Sequence, residues 1–533
     1  MTPALLLASR ALIALVPTTE GVALAAVDDD VVVALDQLAV LAHFARRKDR
    51  VFLFDEAKPV LRWLLARGVD VARPLCRSTL ERLAGQDVDE TGQPLAPSLA
   101  VGQQRARDLI ERLEARMARV EARGQRKVAR LECLVLRAFA ALEQRGLPID
   151  KGRWQSIVDD ERLTSGAARA HVLELAGPLL PRDLFGAADI NLDADADVRE
   201  LLSRATGKTL DDTRGGTLGA LQHPLADAVL RFRESWKIVT TYGDALLAHV
   251  KDVDVDGVGR IRSTFVPLGA STGRVACRDP NLQNLPKDAR FHACLRAPPG
   301  RSLVTADYGT CELRIVAELA EDPVFLAAFA RGEDLHSTVA TSMFGLPVSK
   351  TENPELRQRA KAINFGLVYG MGAGALSSSL GVDRATGEEL LARYFRTFPR
   401  VRDYLEGSVD VALKRGYSET VLGRRLFYDD EKLAAPNARG DLSRIMKNMP
   451  IQGCSADMTK LAMVRVHERL LEETRGRAGL VNTVHDELVI ECDDDDGAVV
   501  TGIVREEMEE AHRTLLKKVP PLVELHLGST WLH

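Results

Sequence analysis

A short β-forming run that ends in a carboxylate is the sequence feature that most constrains this fold. Residues 304–306 are Val-Thr-Ala, Asp307 follows them, and residues 308–314 pass directly into a segment of helix formers. The pattern predicts a strand that leads into a helix, with Asp307 at the tip of the strand. A carboxylate there can meet a metal ion, although a lone Asp at a strand end is more often a cap or turn residue. Its role therefore depends on what the rest of the chain supplies.

A second segment carries cations and aromatic rings at regular spacing. Arg357, Lys361, Phe365 and Tyr369 recur every four residues. On a helix they form one drifting stripe, with cations at one end and aromatic rings at the other. Cations suit a triphosphate, and aromatic rings suit a sugar and a base. Taken alone, the stripe is better explained as a solvated face that turns into a core face.

A third segment supplies further carboxylates. Residues 480–491 read as a β-hairpin with His485 and Asp486 near its tip and Glu487 beside them. Asp307 and Asp486 are sufficient for two Mg²⁺ ions ~3.5–4 Å apart, because Mg²⁺ takes few protein carboxylates and leaves its other positions to phosphates and water. For Glu487, assistance to a metal and support of the hairpin are weighed equally.

Other polar segments offer contacts to a nucleic acid. Residues 271–286 combine turn formers with amide side chains, which can donate to base edges or phosphates, or form a plain polar loop. Arg444, Asn448 and Gln452 share one face if their segment is helical. His336 is weighed evenly between donation to a phosphate and a structural role.

Composition sets outer limits. A length of 533 residues predicts two or more domains. The formal net charge of -5 gives no sign of a globally basic nucleic-acid binder, so any contact with DNA must come from local patches. Seven cysteines without metal-ligand spacing predict buried, reduced thiols. No apolar run reaches ~18 residues, so no membrane span is expected.

The chain divides into regions of different pattern. Residues 1 to about 100 alternate β-rich runs with helical patterns, which predicts a small α/β domain. A charged helical stretch follows from Gln103 to Gln144, with a break at Gly124. The pattern stays helical to about Lys251, and residues 257–273 favour β-structure and turns. After the strand at Asp307 the chain is predicted to be largely helical to Arg475 and to end in a hairpin, a helix and a strand.

In order and spacing, the segments around Asp307, Lys361 and Asp486 resemble motifs A, B and C of the family A DNA polymerases. The likeness runs over about residues 131–531. It implies a multidomain α/β protein: a degenerate ribonuclease H-like exonuclease domain, then a right hand of helical thumb, antiparallel-sheet palm and helical fingers. The implied bounds are 1–127 for the exonuclease-like domain and 128–533 for the polymerase domain, with the thumb at about 150–265, the palm at about 266–312 and 453–533, and the fingers at about 313–452.

The resemblance also implies roles for individual residues. Catalytic roles fall to Asp307, Asp486, Lys361 and Glu487, and metal ligation to Asp307, Asp486 and the Tyr308 carbonyl. The residues implied to bind dNTP are Arg357, Lys361, Phe365, Tyr369, Glu312 and His336. The residues implied to contact DNA are Arg274, Asn281, Asn284, Arg444, Asn448, Gln452, His485 and Lys237. Glu312 matches a gate against a 2′-hydroxyl, and Phe365, in place of a Tyr, implies discrimination against dideoxynucleotides. The implied cofactor is a pair of Mg²⁺ ions, for which Mn²⁺ can substitute.

Several positions depart from the family pattern. Gly309, Thr310 and Cys311 replace the usual middle of motif A, and Cys311 is smaller than the usual Ile beside the gate. Thr483 replaces a Gln, Gln358 replaces an Arg, and Arg278 stands where a small residue is usual. Arg278 is able to add a phosphate contact. None of these changes removes a residue that the chemistry needs.

The first domain lacks the carboxylate pattern of a proofreading nuclease. No Asp-x-Glu follows a strand there, and no Tyr precedes Tyr242. Residues 28–30, Asp36 and the pair at 55–56 are carboxylates in the wrong pattern. We therefore expect an inactive 3′–5′ exonuclease relic that acts as a scaffold, and no 5′-nuclease domain in the remaining length.

The sequence thus predicts a DNA-directed DNA polymerase that extends a primer 3′ end with dNTPs by two-metal phosphoryl transfer, without proofreading. Primer–template DNA and dNTPs are the expected partners, with replication accessory proteins open. We expect a monomer in the cytoplasm of a bacterium, encoded by the bacterium or by a phage. Phage replication, repair and lesion bypass remain open as roles. The rivals are a DNA-binding protein with a dead polymerase fold and a nuclease acting through the first domain.

Overall fold

The computed structural model describes residues 11–26, 29–86, 97–180, 189–368, 371–429 and 439–531. Helices and strands occur together through these ranges, which confirms the predicted mixed α/β class. In this described part of the chain, no helix is long and apolar enough to cross a membrane.

The first unit is a five-stranded sheet covered on both faces. Its strands are β1 (Leu12–Pro17), β2 (Gly21–Ala26), β3 (Asp29–Ala34), β4 (Val51–Phe54) and β5 (Pro74–Cys76). Its helices are α1 (Leu38–Ala45), α2 (Ala57–Leu65), α3 (Arg77–Leu83), α4 (Leu99–Glu111) and α5 (Leu113–Ala122). The strand order is β3-β2-β1-β4-β5, antiparallel from β3 to β1 and parallel from β1 to β5. Successive residues of β1 enter different apolar clusters, Ile13 and Leu15 one of them, Ala14 and Val16 the other, which explains why this strand is apolar throughout.

One helix joins this unit to the rest of the chain. Helix α6 (Arg126–Arg145) follows directly and is buried along most of its 20 residues. Its Cys133 and Leu136 pack into the core of the first unit, whereas Val135 and Phe139 belong to the main core. The first unit and the remainder therefore share a helix instead of being joined by a linker.

A helical region and a small sheet come next. The helices are α7 (Lys151–Ala176), α8 (Asp195–Thr206), α9 (Gly215–Gly219), α10 (Pro224–Tyr242) and α11 (Asp244–Leu247). The strands are β6 (Leu147–Asp150), β7 (Val250–Lys251) and β8 (Val258–Ile261), in the order β6-β8-β7. Helices α7 and α10 pack together and enclose an apolar cluster of their own, which includes Val172 and Phe232.

A four-stranded antiparallel sheet, the central sheet, forms the middle of the molecule. Its strands are β11 (Arg301–Tyr308), β14 (Gly479–Val484), β15 (Glu487–Asp493) and β16 (Val523–Gly528), in the order β14-β15-β11-β16. It is preceded by the ribbon of β9 (Thr264–Val266) and β10 (Ala276–Arg278) and by the short helix α12 (Ala289–His292). Helices α20 (Arg439–Thr474) and α21 (Gly497–Leu515) pack together, and α21 also packs on β11, β15 and β16.

The chain between β11 and α20 is mostly helical. Its elements are α13 (Cys311–Ala320), α14 (Pro323–Ala330), α15 (Leu335–Phe344), α16 (Pro354–Val368), α17 (Ala373–Leu380), α18 (Arg384–Thr397), α19 (Pro399–Arg415), β12 (Tyr417–Glu419) and β13 (Arg425–Phe427).

Two sequence expectations differ from this arrangement. The charged stretch from 103 to 144 is broken at Gly124, as predicted, and also near Arg112, where α4 ends and α5 begins. The β12–β13 hairpin interrupts the helical region predicted up to Arg475. The predicted subdomain limits after residues 312 and 452 fall inside α13 and α20, so the backbone does not break there.

A fully buried ionic cluster ties α6, the β12–β13 hairpin and α20 together. Arg424 donates to Asp457 at 2.6 Å and also to Glu132, and Lys460 donates to Glu132 and to the Pro267 carbonyl, the latter at 2.7 Å. These four charged side chains are at most 3% exposed. Burial lowers the pKa of Lys460 to about 8, which reflects the cost of holding its charge away from water.

Replacing Glu132 with Ala is expected to destabilise the protein by about 3–5 kcal/mol, because two buried cations lose their shared partner. The thermal unfolding midpoint should fall by several degrees. Glu388→Ala, which breaks the exposed pair with Arg384, is the matched control and should leave the midpoint nearly unchanged. Equal midpoints for the two variants would contradict a structural role for the cluster.

Candidate active site

The register of the central sheet gathers acidic residues around Asp307. On one side Asp307 is paired with Glu487 of β15, and on the other with Glu524 of β16. Val484 pairs with Glu487, so His485 and Asp486 form the two-residue turn between β14 and β15. Directly paired residues lie on the same face of a sheet, and the turn delivers Asp486 next to them.

The turn that carries Asp486 has an unusual backbone. His485 has φ 55°, the left-handed region that two-residue hairpin turns require and that residues other than Gly adopt at a cost. Its ring is exposed and lines the cavity above the sheet. The predicted hairpin and its tip are therefore where the sequence pattern places them.

The carboxylates repel one another in a partly buried place. Burial, together with the charges of Asp486 and Glu524, raises the pKa of Asp307 to about 7. Burial raises the pKa of Asp486 to about 6, and Glu312 adds to the shift. The ordinary value for an Asp is about 3.9. A divalent cation between these groups would relieve the repulsion, so Asp307 and Asp486 fit the oxygen ligands that Mg²⁺ prefers. In the described part of the chain no set of three or more His, Cys, Asp or Glu side chains is arranged to hold a metal.

Glu487 points to a different partner. Its carboxylate accepts a 2.6 Å hydrogen bond from the indole nitrogen of Trp531, and burial raises its pKa to about 8. It is absent from the lining of the cavity that Asp307 and Asp486 face. This contact accounts for Glu487 as a support of the hairpin, while its catalytic role remains a prediction.

The turn after β11 explains the unusual middle of the first motif. At Gly309 a Cβ atom would lie 2.7 Å from a methyl group of Leu522, so a side chain at this position would require Leu522 to shift. Arg314 donates to the Gly309 carbonyl at 2.8 Å and to the Pro520 carbonyl at 2.7 Å. Thr310, with φ 54°, precedes helix α13. These contacts fix the direction in which α13 leaves Asp307.

Helix α13 presents Glu312 to the cavity. Glu312 is 8% exposed, and its carboxylate accepts a hydrogen bond from Arg274. Beside it, the Cys311 thiol donates to Ser455 at 3.4 Å. Tyr308, which precedes this turn, has its hydroxyl committed to the Met508 carbonyl at 2.7 Å, so only its backbone faces the site.

A cavity of about 1060 Å³, the central crevice, lies above the central sheet and below α15 and α16. Cations and carboxylates line it in equal number. They are Arg274, Arg314, Arg331, Lys350, Arg357 and Lys361, and Asp307, Glu312, Glu333, Asp334, Asp486 and Glu524. Several of these charges pair with one another, Arg274 with Glu312 and Arg357 with Asp334 among them. A lining with both signs of charge suits a ligand that carries negative charge together with metal ions.

The cations predicted on the repeating stripe face this crevice. Arg357 and Lys361 line it from α16, and Arg357 donates to Asp334 at 2.6 Å. Burial by itself would raise the pKa of Asp334. The hydrogen bonds from Arg357 and Ser337 outweigh burial and lower this pKa to about 2. The aromatic half of the stripe is described only in part. Phe365 belongs to α16, but its side chain lies outside the described residues, and Tyr369 lies outside them entirely.

His336 lines the crevice as a neutral ring. Its Nδ1 is 3.1 Å from the side-chain amide nitrogen of Asn364. Burial lowers its pKa to about 4, helped by the nearby charges of Arg357 and Lys361. At neutral pH it can therefore donate a hydrogen bond to a ligand without carrying charge.

The predicted DNA-contact residues occupy several elements around the crevice. Asn281 caps a short 3₁₀ turn through its side-chain oxygen, 3.0 Å from the Gln283 nitrogen, and the Asn284 carbonyl accepts from Tyr242. Helix α20 carries Arg444, which is exposed and paired with Asp441, and half-buried Asn448 and Gln452 on one face. Lys237 is exposed on α10. Of the whole predicted set, only Arg274 and His485 line the central crevice.

Sequence reasoning missed residues that only the fold brings to the crevice. Glu524 faces Asp307 from the last strand, and Arg314, Lys350 and Glu333 line the same space. Alternation of polar and apolar residues from Val523 onwards was a signal for β16, but it does not say which strand lies beside it.

Known proteins are similar to this chain in sequence and in fold. A family model described as DNA polymerase family A matches residues 182–533. The thermostable DNA polymerase I of Thermus thermophilus is 32% identical over 511 residues, which is 93% of this chain and 57% of that protein. DNA polymerase I of Caldicellulosiruptor bescii is 37% identical over 314 residues, 58% of this chain and 36% of that protein. The chain thus spans well under two thirds of these two curated relatives.

A solved structure extends the similarity to three dimensions. The POL domain of Pol1 from M. smegmatis, in complex with DNA primer-template and dNTP, superposes with a TM-score of 0.81 at 27% identity. The match covers 97% of this chain and 95% of that one, and so includes the first unit as well as the central sheet.

The raised pKa values predict a test in the metal-free protein. The folded state binds a proton at Asp307 up to about pH 7, whereas the unfolded chain releases it near pH 4, so stability falls as the pH rises through this window. In EDTA at pH 8, Asp307→Asn should be more stable than the parent by about 1–3 kcal/mol. Thermal unfolding measures this difference, which should shrink at pH 5 and on addition of Mg²⁺. An equal advantage at both pH values would contradict the assignment.

Proposed function

The chain belongs to DNA polymerase family A, and on that basis we propose that it is a template-directed DNA polymerase that adds dNTPs to the 3′ end of a primer. The observation that carries the proposal is the placement of Asp307 and Asp486 at the floor of a crevice whose opposite wall bears Arg357 and Lys361. Two carboxylates on one side and fixed cations on the other match what phosphoryl transfer from a triphosphate requires.

Asp307, Asp486 and the Tyr308 carbonyl would hold two Mg²⁺ ions, for which Mn²⁺ can substitute. When bound, these ions supply charge stabilisation to the attacking and the leaving oxygen. The sheet keeps both carboxylates in place, because Asp307 is paired within the sheet and Asp486 lies in the tight turn closed by the Val484–Glu487 pair. The commitment of the Tyr308 hydroxyl to Met508 holds the neighbouring backbone. We propose that Glu487 assists a metal, with the hydrogen bond from Trp531 holding its carboxylate near Asp307 and Asp486.

The opposite wall would bind the triphosphate. Lys361 and Arg357 would contact its phosphates, and neutral His336 would donate one hydrogen bond beside them. Arg357 is held by Asp334 in this structure, and this ion pair orients its guanidinium towards the crevice. We propose that Phe365 contacts the sugar and that Tyr369 stacks at the templating position.

Glu312 would select the sugar. It is buried against Arg274 at the edge of the crevice, where a 2′-hydroxyl would compete for its space and its hydrogen bond. The residues proposed to hold primer–template DNA around this point are Arg274, Asn281, Asn284, Arg444, Asn448, Gln452, His485 and Lys237. They offer amides and cations to bases and phosphates.

We propose thumb, palm and fingers for residues 150–265, for 266–312 with 453–533, and for 313–452. The first unit, residues 1–127, would be an exonuclease relic without proofreading. The parallel pair β1–β4 beside an antiparallel pair supports a ribonuclease H-like sheet, and Asp55 is engaged by Arg77. We also propose a cytoplasmic, monomeric enzyme that would serve replication, repair or lesion bypass together with accessory proteins.

A labelled primer on a longer template tests the central proposal. With Mg²⁺ and dNTPs we expect extension, and without dNTPs we expect no shortening. Asp307→Asn should reduce the extension rate at least a thousandfold while DNA binding stays within a few fold, since the lost group would act on the reaction and not on the duplex. Extension by this variant at the parent rate would reject the metal assignment, and shortening without dNTPs would reject the inactive first unit.

Sugar selection is a separate prediction. Glu312→Ala should raise the relative use of ribonucleotides by roughly ten- to a hundredfold, which is the range for removing one steric or polar contact from a pocket. The ratio of kcat/KM for a ribonucleotide and its deoxy counterpart measures the effect. Glu333→Ala, on the opposite wall, is the matched control. An unchanged ratio in the Glu312 variant would reject the gate.

A further inference from the structure

A second cavity lies between the first unit and the β9–β10 ribbon, separate from the central crevice. Its volume is about 650 Å³, and its walls come from the ends of β4 and β5, from helices α2 to α6, and from both strands of the ribbon. The carboxyl ends of parallel strands meet at this place, which is where ligands bind in many α/β sheets. The function proposed above makes no use of it.

The lining of this cavity is strongly cationic. Seven cations and four carboxylates give it a formal charge of +3, although the whole chain has a formal charge of -5. The cations are Lys58, Arg77, Arg82, Arg105, Arg112, Arg116 and Arg278, and the carboxylates are Asp55, Glu56, Glu81 and Asp108. Such a concentration of one sign inside a cleft attracts anions.

The carboxylates of the lining have internal partners. Arg77 is paired with both Asp55 and Glu81, and Arg116 donates to Glu81 at 2.9 Å. Burial raises the pKa of Glu56. The Asp108 carboxylate accepts from Gln104 at 2.8 Å. Within the described residues these carboxylates form no metal-binding group. The chemistry of the cavity is that of an anion site.

Cations on both walls are exposed to solvent. Arg112 lies exposed between α4 and α5, and Arg278 lies exposed on β10, where it forms a 3.8 Å surface ion pair with Asp279 that a ligand can displace. Burial lowers the pKa of Lys58 and the charges of Arg62 and Arg278 add to the shift, although Lys58 and Arg62 already share the buried carboxylate of Glu143. A phosphate placed beside Arg112 and Arg278 would offer each guanidinium a paired acceptor.

We propose that this cavity binds the phosphodiester backbone of a single DNA strand. Its volume lies within the ~300–1,000 Å³ range of sites for small groups, so one or two nucleotides fit and a double helix does not. Pro59, Leu109 and Val266 supply an apolar wall for sugar and base. Arg278 is four residues from Arg274 of the central crevice, about 13 Å of extended chain, so both sites would serve one DNA molecule.

The inference rests on the proposed function for the identity of the strand, because an enzyme that copies DNA meets single strands beside its primer–template. It does not depend on catalysis. The free phosphate of a nucleotide shares the same chemistry, and the experiment separates the two sources.

Fluorescence anisotropy of a short labelled oligothymidylate tests the proposal on the full chain, in EDTA and without dNTPs. A saturating unlabelled hairpin primer–template first fills the central crevice. We expect the oligonucleotide still to bind, with an affinity that falls as salt rises. In the double variant Arg112→Glu/Arg278→Glu, binding should weaken at least tenfold, and the slope against log salt should shrink by about 0.7 for each lost contact.

Arg119→Glu is the control, since Arg119 is an exposed cation on α5, close in sequence to Arg112, and lies outside this cavity. It should bind like the parent. An oligonucleotide displaced completely by the hairpin, or equal binding by the double variant and the control, would overturn the proposal. Equally strong competition by dTTP at equal concentration would assign the cavity to a free nucleotide instead. If the chain fails to extend primers but binds the oligonucleotide as expected, the single-strand site would be supported and the polymerase assignment rejected.

Discussion

The position of β11 between β15 and β16 is the constraint on which the site depends. Asp307 meets Glu487 on one side and Glu524 on the other only in this register. A slip of one residue would turn Asp307 to the opposite face of the sheet, away from Asp486 and the crevice. The same register forces like charges together, as the raised pKa values of Asp307 and Asp486 record. The apolar and ionic contacts around the sheet must offset that repulsion when no cation is bound.

Local patterns allowed the main parts of the site to be predicted. The strand before Asp307, the hairpin tip at Asp486 and the cationic half of the stripe on α16 each follow from a few adjacent residues, and each lies where it was expected. The family and the mixed α/β class follow from the order of these same segments. These patterns are set by backbone preference and hydrophobic periodicity, so they can be recognised without knowing which distant segments pack against them.

Contacts between distant segments could not be predicted in the same way. Arg274 pairs with Glu312, and Trp531 pairs with Glu487, but no pattern near any of these residues names its partner. Gly309 is unexplained by its neighbours in sequence and becomes clear only when Leu522 is seen against it. The cationic cavity of the first unit is a further case, because its walls come from strands and helices spread over more than two hundred residues. Tertiary packing decides all of these features.

Helix α6 belongs to two cores, with Cys133 and Leu136 on one side and Val135 and Phe139 on the other. A gene that lost the coding region before this helix would leave one flank of it as a bare apolar surface in water. Such a surface would favour aggregation. Evolution can therefore erase the chemistry of the first unit more easily than its bulk, and a shorter descendant would first need new polar residues along that flank.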